Sequence, residues 1–172
     1  MRLFFALRPD ADVTRQLAEA ARPLQLDERR GRLVAAKNYH VTLVFVGEVA
    51  DPKLAVLQQI GRSLRSAPFT VSFDSLEYWR QSQAVVAVAP EAPPGLIDLW
   101  TRLNAAIGLP YERLRAHATL ARKVAQAPVL QAMSPILWPA TNFSLIRSDT
   151  GGAESAYTVL DTWPLLDETE NR

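Results

Sequence analysis

The chain has two histidines, His40 and His117, and both open the same four-residue frame: His40-Val41-Thr42-Leu43 and His117-Ala118-Thr119-Leu120. With 10 threonines and 23 leucines among 172 residues, both histidines meeting that frame by accident has odds of roughly one in ten thousand. Imidazole titrates near neutrality, so a pair can divide labour, one neutral as base and one charged as acid. A threonine two residues on adds a hydroxyl able to donate to a non-bridging phosphate oxygen. In-line displacement at phosphorus needs a base on one side, an acid on the other and donors around the equator, and these four residues supply that set. A single strand histidine is more often structural, and strand threonines are ordinary. The duplication, with no third histidine, is what favours catalysis.

Other chemistries have less to work with. The sequence has no cysteine, which excludes disulfides, thiolate nucleophiles and Cys-based zinc sites. Neither motif has a carboxylate beside it, so a two-histidine zinc site is not expected. The formal net charge of +1 excludes a strongly basic nucleic-acid binder but allows contact with one or two phosphates. Basic residues do gather near the motifs: Arg29, Arg30, Arg32 and Lys37 before the first, and Arg113, Arg115, Arg122 and Lys123 around the second. An RNA-backbone track and a solvated surface explain them equally well. Tyr39, Phe45, Trp79, Tyr157 and Trp163 are aromatic candidates for stacking on a base, although core or rim packing is the commoner role.

The elements that hold the motifs follow from hydrophobic periodicity. Both frames sit in runs rich in β-branched and apolar residues, read as strands over 40–49 and 114–124. Side chains two apart share a strand face, so each histidine has its threonine beside it. Val41, Leu43 and Phe45, and Ala118 and Leu120, are then expected in the core. The same alternation puts Arg122 on the face opposite His117. Further strands are expected over 3–7, 33–34, 69–79, 84–89, 142–147 and 156–160. Helices are expected after Pro9-Asp10, after Asp51-Pro52 and after Pro93-Pro94, with a short helix or turn near 129–133 and a frayed tail at 167–172. Strands and helices intermix, and one hairpin is clear, which favours an α+β fold with mainly antiparallel sheet. Length and the absence of linkers favour one domain over 1–172, and no apolar run approaches membrane-spanning length. A cytoplasmic protein with no membrane association and no obligate protein partner is expected.

At these residues the chain resembles the two-histidine (2H) phosphoesterases, and within them the LigT-like RNA 2′,3′-cyclic phosphodiesterases, also called 2′-5′ RNA ligases. The resemblance is carried by Met1-Arg2-Leu3-Phe4-Phe5-Ala6-Leu7, by residues 40–49 (HVTLVFVGEV), by residues 115–122 (RAHATLAR), and by Tyr157-Thr158-Val159-Leu160 with Trp163. It implies two pseudo-symmetric α+β lobes with outer helices around a central cleft, each lobe giving one His-x-Thr motif. It also implies opening of an RNA 2′,3′-cyclic phosphate end to a 2′-phosphate without metal or cofactor, with possible reversal to 2′-5′ ligation. In that scheme His117 is the proton acceptor and His40 the proton donor. Thr42 and Thr119 bind the phosphate, and Arg122 and Tyr157 are further substrate contacts. Two positions depart from the family pattern: Leu33-Val34-Ala35 replaces an aromatic before the first motif, and Ala116 stands where a proline is usual. Another cyclic nucleotide or an ADP-ribose cyclic phosphate would suit the same four residues. A non-catalytic RNA-binding module would need the basic clusters but not the paired frames.

Overall fold

The computed structural model describes residues 1–27, 29–110, 113–149 and 156–166, so the tail expected at 167–172 lies outside the described residues. The first strand, β1 (Arg2–Leu7), is buried from Leu3 onward. Asp10 then caps α1 (Ala11–Ala21), its carboxylate accepting from the Val13 amide at 2.9 Å. Val13, Leu17 and Ala21, four residues apart, form the buried stripe. A two-residue strand β2 (Arg32–Leu33) precedes β3 (Val41–Glu48), the strand of the first motif. Helix α2 (Asp51–Ser63) starts one residue earlier than Asp51-Pro52 suggested, with Ala50 as its N-cap.

The expected strand 69–79 is two strands, β4 (Phe69–Phe73) and β5 (Ser75–Trp79), which belong to different sheets. Asp74 is the corner, its amide donating to the Val88 carbonyl at 3.0 Å. Strand β6 (Ala84–Val88) completes a hairpin with β5, and α3 (Pro94–Ile107) ends at Gly108, whose φ of +75° is the left-handed conformation of a helix terminator. The second motif lies on β7 (His117–Arg122). No helix forms near residues 129–133. Instead β8 (Ile136–Ala140), disguised by Pro139, pairs with β4 in a two-stranded sheet, where a proline can stand on an edge. Strands β9 (Asn142–Asp149) and β10 (Ala156–Pro164) close the described chain, the latter running past the expected end at 160.

The fold is α+β, with a main antiparallel sheet in the order β10-β9-β1-β3-β7-β6-β5 and β2 added to β7. The three helices pack on one face of the sheet system, α1 near β7 and β8, α2 near β9 and β10, α3 near β3 and β4. Between sheets and helices lies one continuous core, from Leu3, Phe5 and Leu7 through Leu57, Leu99 and Leu103 to Leu120, Phe143 and Trp163. The opposite face carries two small separate apolar groups: Phe4, Ala6 and Ile146 with Tyr157, and Ala84, Val86 and Val88 with Trp79. They form two shoulders, and the histidine strands run between them. No helix among the described residues is long and apolar enough to cross a membrane.

Candidate active site

Strands β3 and β7 are the inner strands of the sheet, yet they pair at one position, Val41 opposite Ala118. Alongside the rest of β7 lies β2, with Arg32 opposite Arg122 and Leu33 opposite Ala121. In an antiparallel register, the residue before Val41 lies toward the residue after Ala118. His40 is thereby brought toward Thr119, and Thr42 toward His117. The four side chains surround the Val41–Ala118 pair as the corners of a pseudo-twofold figure, while Val41 and Ala118 themselves point into the core.

Both imidazoles are oriented by the same device. His40 Nδ1 lies 2.7 Å from the Asn38 carbonyl, and His117 Nδ1 lies 2.6 Å from the Arg115 carbonyl. A carbonyl accepts, so each Nδ1 carries the proton and each Nε2 is left with its lone pair. His40 Nε2 is 3.1 Å from Thr42 Oγ1. Rings flank each site: Phe4 and Tyr157 stand 5.0 and 5.3 Å from His40, and Trp79 stands 4.4 Å from His117. Burial pushes His40 down to about 4, assisted by the positive charges of Arg122 and Arg8 and by His117, against the raising effect of the Asn38 bond. Burial also lowers His117, with Arg115 and Arg122 acting the same way and the Arg115 carbonyl and Glu77 opposing them. With midpoints below the ordinary 6.5, both imidazoles are neutral at neutral pH.

Strict alternation misplaces two residues, for one shared reason. Along β7, Thr119 faces Val86 but Ala121 faces Val85, so β7 carries an extra residue there. Leu120 and Ala121 both enter the core, and the next side chain, Arg122, turns to the cleft. Along β3, Thr42 faces Ala6 but Val44 faces Phe5, another extra residue. Leu43 and Val44 are both buried, and Phe45 is 50% exposed instead of lying in the core. The two bulges follow the two motifs at the same distance, so Phe45 and Arg122 occupy equivalent places, each five residues beyond its histidine.

A cavity of about 230 Å³ is lined by Arg2, Phe4, His40, Thr42, Phe45, Arg122, Ser148 and Tyr157. Its neighbour, about 440 Å³, shares Thr42 and Phe45 and is bounded by Trp79, Trp100, Arg113, Arg115 and His117. Thr119 is half-buried on the cleft side of β7. Of the aromatic candidates, Phe45, Trp79 and Tyr157 reach the cleft, whereas Tyr39 and Trp163 belong to the core. The basic candidates divide as well. Arg32 lines a small recess with Arg122 and Tyr157, while Arg29 and Arg30 line a different cavity with Gln25 and Gln126, and Arg30 pairs with Asp27. Arg2, Phe4 and Ser148, which also line the cavity, are not among the site candidates: Arg2 and Phe4 stand out only as part of the resembling N-terminal segment, and Ser148 lies just past the strand expected at 142–147. Among the described residues no group of three or more His, Asp or Glu is placed to hold a metal ion.

Two fixed-tautomer imidazoles, hydroxyls and a guanidinium converging on one groove are equipped for acid–base chemistry on an anion. The chain matches the family model described as LigT like Phosphoesterase over residues 7–88. It is 32% identical over 171 residues to the RNA 2′,3′-cyclic phosphodiesterase of Escherichia coli (strain K12), covering 95% of this chain and 96% of that protein. Its fold superposes on the crystal structure of E. coli LigT complexed with phosphate with a TM-score of 0.83 and 29% identity, covering 96% of this chain and 98% of the other. For E. coli LigT complexed with 3′-AMP the TM-score is 0.86, with 28% identity and the same coverage. The chain belongs to the LigT-like phosphoesterase family.

Proposed function

We propose that the protein hydrolyses RNA 2′,3′-cyclic phosphate ends to 2′-phosphomonoesters by general acid–base catalysis between His117 and His40. The observation that carries this reading is the convergence of both His-x-Thr motifs about the Val41–Ala118 pair, with both Nε2 atoms unprotonated and both Nδ1 atoms tied to carbonyls. The naming of the E. coli relative, similar over almost the whole chain, supports the substrate class.

In this mechanism His117 Nε2 takes a proton from water as its oxygen attacks phosphorus. His40 Nε2 gives a proton to the departing 3′-oxygen, and the phosphate stays on the 2′-oxygen. Thr42, Thr119 and Arg122 hold the non-bridging oxygens, and the exposed Phe45 ring and Tyr157 border the space for the terminal nucleoside. A donor must be charged, and an imidazole with a midpoint near 4 is charged in roughly one molecule in a thousand at pH 7. The substrate's phosphate anion, drawn in by Arg122, raises that midpoint as it binds, so the acid is armed by the group it will cleave. A 5′-hydroxyl in place of water would run the same steps toward a 2′-5′ linkage.

The deciding experiment offers the purified protein an RNA ending in 2′,3′-cyclic phosphate, with EDTA present, and locates the phosphate in the product. A 2′-phosphate formed at an undiminished rate is expected. A rate lost to EDTA and restored by zinc or manganese, or no reaction beside rapid turnover of an ADP-ribose cyclic phosphate, would overturn the mechanism or the substrate respectively.

A further inference from the structure

The two histidines lean on walls of different chemistry. His40 rests against the carbon surfaces of Phe4 and Tyr157. His117 rests against Trp79, and Trp79 is held by ions. Glu77 Oε2 accepts from Trp79 Nε1 at 2.7 Å and from the Arg115 guanidinium at 3.1 Å. The same guanidinium lies 4.5 Å from the Trp79 ring. The Arg115 main chain meanwhile holds His117 Nδ1. The circuit closes: carboxylate to indole, indole to imidazole, imidazole to the Arg115 carbonyl, and Arg115 side chain back to the carboxylate. Alternation along β5 puts Glu77 and Trp79 on one face, opposite Val86 and Ala84 of the cleft-side shoulder.

We propose that Glu77 is a positioning residue for His117, clamping Trp79 and Arg115 behind the imidazole and balancing the guanidinium charge beside it. This rests on the reading of His117 as the proton acceptor. Among the described residues, the charged or titratable groups about His117 are Arg113 and Arg115 from the segment before β7, Arg122 from the end of β7, Glu77 from β5 and His40 from the start of the β3 segment. The two arginines lower its proton affinity and Glu77 raises it. Without Glu77 the Arg115 charge would act unopposed and the indole would lose its acceptor, leaving the base weaker and less well aimed.

The chain's two histidines make the test direct, because their imidazole NMR resonances are assigned by single substitutions. Glu77→Gln keeps the side chain's shape and should lower the His117 titration midpoint by roughly half a pH unit, leaving that of His40 in place. Arg115→Gln should raise the His117 midpoint, a second reading that stands even where Glu77→Gln folds poorly. The double variant should return close to the parent. On a cyclic phosphate substrate Glu77→Gln should lower kcat about tenfold, with KM within about twofold. An unmoved His117 midpoint in a folded Glu77→Gln protein would overturn the clamp, as would a raised KM at parental kcat. Shifted midpoints in a protein that opens no cyclic phosphate would uphold the clamp and remove the proposed function instead.

Discussion

Two imidazoles in pseudo-symmetric settings need not share a role, and their surroundings differ enough to separate them by experiment. If His40 is the acid, its removal matters only while the leaving oxygen needs a proton. His40→Ala should lower turnover of the RNA cyclic phosphate by roughly a hundred- to ten-thousand-fold. It should recover most of that loss on a phosphodiester with a p-nitrophenolate leaving group, which departs unprotonated. His117→Ala should be impaired on both substrates, and a variant pattern with the two exchanged would reverse the assignment of acid and base. The depressed midpoints also set a pH profile. The active form of the free enzyme has one imidazole charged and one neutral, so its population peaks between two midpoints that both lie below the ordinary value of 6.5. The quantity kcat/KM should therefore fall as pH rises through neutrality. The kcat optimum should lie at higher pH, because the bound phosphate anion raises both midpoints. A kcat/KM optimum above pH 7 would contradict the lowering of both midpoints.

At the scale of strands, the decisive features are the paired bulges, and they make a prediction that alternation alone would invert. Val44 is buried in the core and Phe45 is exposed. Val44→Ala should cost about 2 kcal/mol of stability, whereas Phe45→Ser should change it by less than about 0.5 kcal/mol while raising KM. Denaturant titration and steady-state kinetics of the two variants check this, and the reverse order would mean an unbulged strand. The bulges also mark where the sequence stops being informative. The His-x-Thr frames, the Asp10 cap and the buried first strand were legible because each depends on residues near in sequence. Whether the run Leu43-Val44-Phe45 keeps alternating depends on β1, which supplies Ala6 and Phe5 opposite Thr42 and Val44. Any of the three apolar residues suits a core, so composition does not say which is turned out. Arg122 was misplaced for the same reason, its preceding Leu120-Ala121 pair being apolar throughout. The break at Asp74 was hidden likewise, since Phe69–Phe73 and Ser75–Trp79 are each good strands and only their partners, β8 and β6, send them to different sheets.

For the whole molecule, the open face of the sheet trades stability for function, and His40 allows the trade to be measured. An imidazole buried without a counter-charge is tolerated while neutral but opposes the fold once charged. His40 titrates at about 4 in the native protein against an ordinary 6.5. Between those values the unfolded chain binds a proton that the native chain does not, so stability rises with pH across this window. The contribution is complete above about pH 6.5, is lost as pH falls through the native midpoint, and amounts to about 3 kcal/mol at most. His117, also lowered, adds in the same direction. Exposed carboxylates such as Asp12 and Asp27, held below their ordinary value by Arg15 and Arg30, lose their partners at lower pH and steepen the acid limb further. Comparison with a His40→Asn variant isolates the histidine, because asparagine keeps a donor for the Asn38 carbonyl but has no proton to gain. Denaturation midpoints measured from pH 7 to pH 4.5 should decline less in the variant than in the parent. Relative to the parent, the variant should thus become more stable with each step into acid. The bound phosphate should erase part of the difference by stabilising the charged imidazole. Parallel curves for the two proteins would mean that His40 is solvated and ordinary, and with it the picture of an acid armed only by its substrate would fall.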